Sequence, residues 1–169
     1  MSNIENLEKS EGIIKLKKMV DDCKFCFFCT NLSNHNGATS TVMTAQDVDS
    51  EGNIWFFSGI NSERNHDIAT DNNIQLYFSC PEKNSYLSVN GQASIILDKA
   101  KIKELWNPLL KMWFKEGADD MNISLIKVTT KNANYWDSTD GVMVNFFKMI
   151  ASVLTGSENI EATSGKIKL

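Results

Sequence analysis

The residues best suited to chemistry lie in one short run, Ser58-Gly59-Ile60-Asn61-Ser62-Glu63-Arg64. An aromatic strand ends there, the backbone turns at Gly59, and a helix starts with Ser62 as its N-cap and Arg64 in its first turn. Helix N-termini attract anions through free N–H groups and the macrodipole. Serine hydroxyls and an arginine add hydrogen bonds and charge suited to phosphate. From the segment alone, a capped helix with a solvated arginine is the simpler reading. Four tryptophans, Trp55, Trp106, Trp113 and Trp136, are core or subunit-interface anchors, or walls for a planar ligand. The two histidines, His35 and His66, have no second metal-type ligand at a known spacing. His35 sits in an asparagine-rich turn, and His66 follows Arg64 closely enough to touch an anion. No nucleophile-elbow, H-E-x-x-H, Walker or Rossmann glycine pattern occurs.

Cys23, Cys26 and Cys29 are spaced three apart, and Cys80 is followed by Pro81. The spacing superficially matches an iron–sulfur pattern, which needs a loop wrapped around the cluster. The intervening Lys24, Phe25, Phe27 and Phe28 read as a buried strand, which sends cysteines three apart to opposite faces. The fourth cysteine is also remote. Free core thiols are therefore expected, with a cluster or zinc site as the alternative.

Composition bounds what these residues can serve. The chain has 169 residues and a formal charge of −4, with 17 Lys+Arg against 21 Asp+Glu. That size predicts a single domain, 1–169. The acidic balance argues against a broad nucleic-acid surface. Residues 1–22 lack an export-signal pattern. The longest apolar stretch, 142–154, is interrupted by Asn145 and Lys148 and is shorter than the ~20 residues of a membrane span. A cytoplasmic protein without a membrane partner is expected.

The elements that must position the site follow from periodicity and punctuation. Ile4, Leu7, Ile14, Met19 and Val20 predict an amphipathic opening helix that Gly12 interrupts. Strands are expected at 25–30, 38–46, 54–58, 74–80, 85–97 and 122–130, the last extended by 134–137. Asp47 to Asn53 reads as a hairpin turn with Gly52 at positive φ. Gly91 predicts a bulge or sharp bend that lets a sheet curl. Asp98 caps a helix that Pro108 kinks or splits. A closing helix is expected over 141–154, followed by a polar tail, partly ordered at best, over 157–169. Consecutive antiparallel strands with glycine turns favour a small barrel.

The assembled blocks resemble the pyridoxamine 5′-phosphate oxidase-like flavoproteins, and within them the general stress protein 26 branch. The blocks come in order: Val42-Met43, then 49–58 (DSEGNIWFFS), Ser62-Glu63-Arg64, 74–78 (IQLYF) and 86–93 (YLSVNGQA). Asp98, 105–108 (LWNP), Trp113-Phe114, Gly117, Asp119-Asp120 and 135–137 (YWD) complete the pattern. The resemblance spans about residues 5 to 155. It implies a mainly β, α+β fold: a six-stranded antiparallel split β-barrel with flanking helices. The barrel core would run from about 23 to 137, with a C-terminal helix and tail over 138–169.

The resemblance also implies FMN held at a homodimer interface. The phosphate would be held by the second barrel strand from Thr41 to Gln46, by Phe57-Ser58, and by Ser62 with Arg64. Thr39 to Met43, including Thr41 and Val42, would line the flavin ring. Trp106 or Trp113 would close the pocket, and Tyr86 would approach from the partner subunit. The chain departs from the family pattern where arginine, lysine and a second cation usually stand, at Thr41, Gln46 and Glu63. The substrate-binding arginine and histidine of true oxidases have no counterpart, so pyridoxamine phosphate oxidation itself is not expected. An FMN-binding oxidoreductase-like protein is the first expectation, with catalytic residues and substrate unassigned. A non-catalytic flavin- or ligand-binding stress-response dimer is the second. A split barrel holding haem or a deazaflavin is a third, which neither histidine favours.

Overall fold

The computed structural model describes residues 3–4, 7–137 and 163–169. The elements in chain order are β1 (Asn3–Ile4), β2 (Leu7–Glu8), α1 (Lys9–Cys23), β3 (Phe25–Thr30), β4 (Thr39–Thr44) and β5 (Asp47–Val48). Then come β6 (Asn53–Gly59), α2 (Glu63–Thr70), β7 (Asn73–Cys80), β8 (Ser85–Ile96), α3 (Lys99–Leu105), β9 (Ile123–Asp137) and β10 (Thr163–Lys168). Three single 3-10 turns lie at Pro81–Lys83, Pro108–Met112 and Gly117–Asp119. The expected closing helix over 141–154 lies outside the described residues.

The strands form one curled, mostly antiparallel sheet, the split half-barrel that the sequence pattern implies. Its order runs β4, β3, β7, β8, β9. The long β9 then serves two neighbours, with Ile123–Thr129 pairing β6 and Asn132–Asp137 pairing β10. The six expected strands are β3, β4, β6, β7, β8 and β9. The two-residue β5 pairs the other side of β6, and β4 and β6 share no ladder, which leaves the barrel split between them.

The bend that curls the sheet is at Gly91. The β8–β9 register shifts between Asn90 and Gly91, so that Asn90 faces Asn132 and Gly91 faces Thr130, leaving Lys131 bulged. A Cβ on Gly91 would lie 2.6 Å from the Thr129 carbonyl oxygen. Only a residue without a side chain permits that approach. Inside the curl, Phe28 and Phe56 meet edge to face at 5.2 Å within the main core. A second, smaller core of Trp55, Phe57, Ile102, Leu110, Phe114, Ile123 and Leu125 lies beneath α3 and the 3-10 turn after it.

Four expectations are corrected. Ile4 and Leu7 belong to β1 and β2, not to the opening helix, and Ile14 points to solvent. Gly12 does not interrupt α1; it lets the helix press on β10, where a Cβ would come within 2.7 Å of Ile167. The C-terminal tail forms β10, paired antiparallel with β9 and parallel with β1 and β2, and it buries Ile167 completely. β3 is buried on one face only, because no described element covers the other: Phe25 and Phe27 are 60% and 55% exposed.

The cysteines are also corrected in part. Cys23 ends α1 and Cys80 ends β7, their Cα atoms are 5.3 Å apart, and they form a disulfide. Cys26 and Cys29 are free, on opposite faces of β3. Burial, with a smaller contribution from Cys29, pushes the Cys26 thiol up to about 12, so it stays a protonated core group. Among the described residues no helix is long and apolar enough to cross a membrane.

Candidate functional site

Where β4 and β6 fail to pair, the opening between them is a cleft of about 340 Å³. One wall comes from β4 and the residues after it: Val42, Met43, Thr44 and Gln46. The opposite wall is the end of β6, Phe57-Ser58-Gly59, with Arg64 reaching in from α2. The Pro108–Met112 turn and the residues after it roof the cleft with Leu110, Trp113 and Phe114. Ser58 and Arg64 form one polar end of the cleft, Thr44 and Gln46 add polar groups on the β4 wall, and the rest of the lining is apolar.

The polar end is built by local rules. Ser62 caps α2 by accepting from the Asn65 backbone N–H at 3.2 Å, which fixes the helix start beside the end of β6. Its Oγ also lies 3.0 Å from Ser58 Oγ. Arg64, in the first turn, donates from Nη1 to Thr41 Oγ1 at 2.9 Å and from Nη2 to Ser58 Oγ at 3.4 Å. A buried polar network fastens this corner from behind. Asn65 Nδ2 donates to Ser124 Oγ at 2.9 Å and to the Ile60 carbonyl at 3.2 Å, and Ser124 Oγ donates to the Ser58 carbonyl at 3.1 Å.

Electrostatically this corner lacks an anion. Arg64 is half-buried, and among the described residues no carboxylate lies within salt-bridge distance of it. Burial lowers its pKa, with Asp67 offsetting part of the fall. An arginine remains cationic at neutral pH in any case. Its Nε is buried without a hydrogen-bond partner. A half-buried guanidinium whose named partners are neutral hydroxyls, and which keeps an unmet donor, favours an anionic group beside it. The residues present therefore fit a phosphate-bearing cofactor.

The structure brings most of the sequence-derived candidates together. Val42, Met43, Gln46, Phe57, Ser58, Arg64 and Trp113 line the cleft, Thr41 bonds Arg64, and Ser62 bonds Ser58. Trp106 stands behind the wall, edge to face with Phe57 at 6.0 Å. Thr39 begins β4 away from the cleft, beside Asn31. Tyr86 lies on β8 opposite Trp136, on the outer face of the sheet. His35 and His66 are exposed and outside the cleft. Thr44 and Gly59, inside the expected Thr41-to-Gln46 strand and the Ser58-to-Arg64 run, also line the cleft, and sequence reasoning misses Leu110 and Phe114 as lining residues. It also misses Asn107, whose side chain caps the roofing turn and donates to Gln46. The signal for Asn107 was present in Asn107-Pro108, the N-cap and first position of a helical turn.

A model of the family described as "pyridoxamine 5′-phosphate oxidase like" matches residues 11–160. The chain belongs to that family. Among curated relatives, protein bli-3 of Neurospora crassa is 26% identical over 167 residues, covering 94% of this chain and 78% of that protein. A general stress protein 26 from Jannaschia sp. CCS1 superposes with a TM-score of 0.77 at 15% identity, covering 95% of this chain and 99% of that one. A general stress FMN/FAD binding protein from Xanthomonas citri superposes with a TM-score of 0.64 at 22% identity, covering 78% and 91%. At these identities the solved structures speak for the shared split-barrel fold of this oxidase-like chain.

Proposed function

We propose that this oxidase-like chain binds FMN in the β4/β6 cleft. The phosphate lies at Arg64, Thr41, Ser58 and Ser62, and the flavin ring lies along Val42 and Met43 beneath Trp113. The observation that carries this reading is Arg64: a half-buried cation in a mostly apolar cleft, with no carboxylate at salt-bridge distance among the described residues. A ligand matched to that cleft has one anionic end and a broad apolar body, and a flavin nucleotide has both. The family membership and the flavin named for the Xanthomonas citri protein support it.

The proposal includes a homodimer. On the outer face of the sheet, Val42, Phe27 and Tyr77 stand side by side on one rung of β4, β3 and β7. Tyr86 and Trp136 are paired across β8 and β9 on the same face, and Phe25 lies two residues before Phe27. These six side chains are 39% to 65% exposed, an apolar patch that a monomer in water would not favour. Val42 belongs to both the patch and the cleft wall. A second copy seated on the patch would therefore also wall the cleft.

The bound isoalloxazine would supply the redox chemistry, while the protein binds, orients and excludes water. Among the described residues, the cleft lining contains no carboxylate, histidine, lysine or cysteine. That favours, as the second reading, a flavin-binding stress-response dimer without turnover. Mixing the purified protein with FMN and passing it through gel filtration tests the first claim. Flavin absorbance should travel with protein at dimer size, and its loss at high micromolar FMN would overturn the assignment. Anaerobic NADH or NADPH then separates the readings: bleaching of bound flavin indicates an enzyme, and an unchanged spectrum indicates a passive binder.

A further inference from the structure

Gln46 occupies a position where the oxidases of this family carry a cation, so the simple expectation is a neutral phosphate contact. Its surroundings point elsewhere. The Gln46 backbone N–H donates to the Trp55 carbonyl at 2.8 Å, which ties the end of the β4 wall to β6. Its side-chain Nε2 donates to the Thr44 carbonyl at 3.0 Å. Its Oε1 accepts from Asn107 Nδ2, also at 3.0 Å. Both side-chain polar atoms are thus engaged within the protein. Turning the amide toward an anion would break a part-buried hydrogen bond and leave a partner unsatisfied.

Asn107 is engaged at both ends too. Its Oδ1 accepts from the Leu109 N–H at 3.1 Å and so caps the Pro108–Met112 turn. That turn and the residues just after it carry Leu110, Trp113 and Phe114, the roof of the cleft. The roof's other ties to the barrel include the packing of Trp106 and Phe114 on Phe57, at 6.0 and 6.3 Å. Such packing is non-directional. Among the described residues, Asn107 to Gln46 is the side-chain hydrogen bond that links 106–116 to the barrel.

We propose that Gln46 and Asn107 form a positioning strut that sets the separation of the β4 wall from the Trp113 roof. They would thereby select the planar body of the ligand rather than its phosphate. The proposal rests on the flavin reading above for its ligand, and on the two amide contacts for its geometry. Charge recognition then resides at Arg64 alone, and shape recognition at the strut. A residue that touches phosphate affects FMN and spares riboflavin, which lacks the phosphate. A residue that holds the roof affects both equally.

The test uses Gln46→Met, which keeps volume and the backbone bond but removes both side-chain bonds, and Asn107→Asp, which keeps the cap but loses the donor. Dissociation constants for FMN and riboflavin are read by quenching of flavin fluorescence. Amide exchange is followed at Leu109, Leu110, Trp113 and Phe114. Gln46→Met should weaken both flavins by the same factor, about five- to tenfold, and speed exchange in the roof. Asn107→Asp should reproduce the faster roof exchange and the weaker riboflavin binding, with its added negative charge weakening FMN further. A Gln46→Met loss confined to FMN would make Gln46 a phosphate contact and overturn the strut, as would unchanged affinities with unchanged exchange. Failure of the wild-type protein to bind either flavin would contradict the flavin reading instead. In that event the roof exchange still decides the strut: faster exchange in both variants supports it, and unchanged exchange overturns it.

Discussion

The region where α1 meets β10 and the end of β7 differs from the cleft in how it treats charge. In the first region the lysines are paired. Lys15 meets Asp137 and lies 5.0 Å from the centre of the Tyr135 ring, Lys17 meets Asp47, and Asp22 is held between Lys18 and Lys83. The Cys23–Cys80 disulfide and the close fit of Gly12 on Ile167 add covalent and steric fastening. In the cleft, Arg64 is more enclosed than most of those lysines and meets hydroxyls instead of a carboxylate. Exposed ion pairs stabilise by about 0–1 kcal/mol each, so the clasp holds chiefly through its disulfide and packing. An uncompensated half-buried cation costs stability, which makes sense where a ligand's charge is to be accepted. One region holds the fold and the other is reserved for binding.

The largest expected effect would divide the two regions from the clasp side. Cys80→Ser, or reduction of the disulfide, should lower stability by about 2–4 kcal/mol, because the bridge constrains a long unfolded loop. In a chain of this size that corresponds to a melting temperature lower by roughly 5–15 °C. FMN affinity, measured well below the melt, should not change. A comparable fall in affinity would show that the clasp and the cleft are one unit.

Arg64→Ala should give the opposite pattern. FMN binding should weaken by about 1.5–3 kcal/mol, the range for a charge-assisted hydrogen bond. Thermal stability without ligand should hold or rise slightly, since removing the cation relieves its desolvation cost while giving up two hydrogen bonds to hydroxyls and the distant attraction of Asp67. Calorimetric titration and a melting curve on the same variant check both halves. A large loss of stability with intact binding would make Arg64 structural.

The smallest effect concerns the two ends of α2. Arg64 stands at its start, and Asp71 caps its end, accepting from Ser33 Oγ at 2.7 Å and from the Asn73 backbone N–H at 3.0 Å. These bonds, Ser33 first, hold the Asp71 carboxyl at about 2, below its ordinary 3.8. The folded pKa is below the unfolded one, so the stabilisation is present above about pH 4 and fades as pH falls toward 2. Asp71→Asn should flatten the acid limb of the stability curve in that window and leave flavin affinity at pH 7 unchanged. An unaltered acid limb would show that the cap does not govern it.

How much of this was legible depended on whether the cause was local. Ser62 and Asp98 as caps, Gly52 in its hairpin, the split at Pro108 and the bend at Gly91 each follow from a residue and its immediate neighbours. The clasp was not legible, because a glycine inside a helix and a short polar tail show their partners only when both are folded. Gly12 reads as a break until Ile167 is seen against it. The cysteine pair was hidden for the same reason: 57 residues separate Cys23 from Cys80, and spacing of three draws attention to the wrong partners. In the cleft, family pattern named Thr41, Ser58, Ser62 and Arg64, yet only the fold shows which atoms meet. Gln46 shows the limit of that pattern. Its place in the sequence suggests phosphate, whereas its amide bonds suggest a strut.

The unpaired cation at one end of the cleft is tested most directly by titrating FMN and riboflavin into the wild-type protein under identical conditions. With Arg64 as the phosphate anchor, FMN should bind tighter than riboflavin by at least tenfold, the equivalent of about 1.4 kcal/mol. Rising salt should narrow the gap. Equal affinities for the two flavins would contradict an anion site at Arg64.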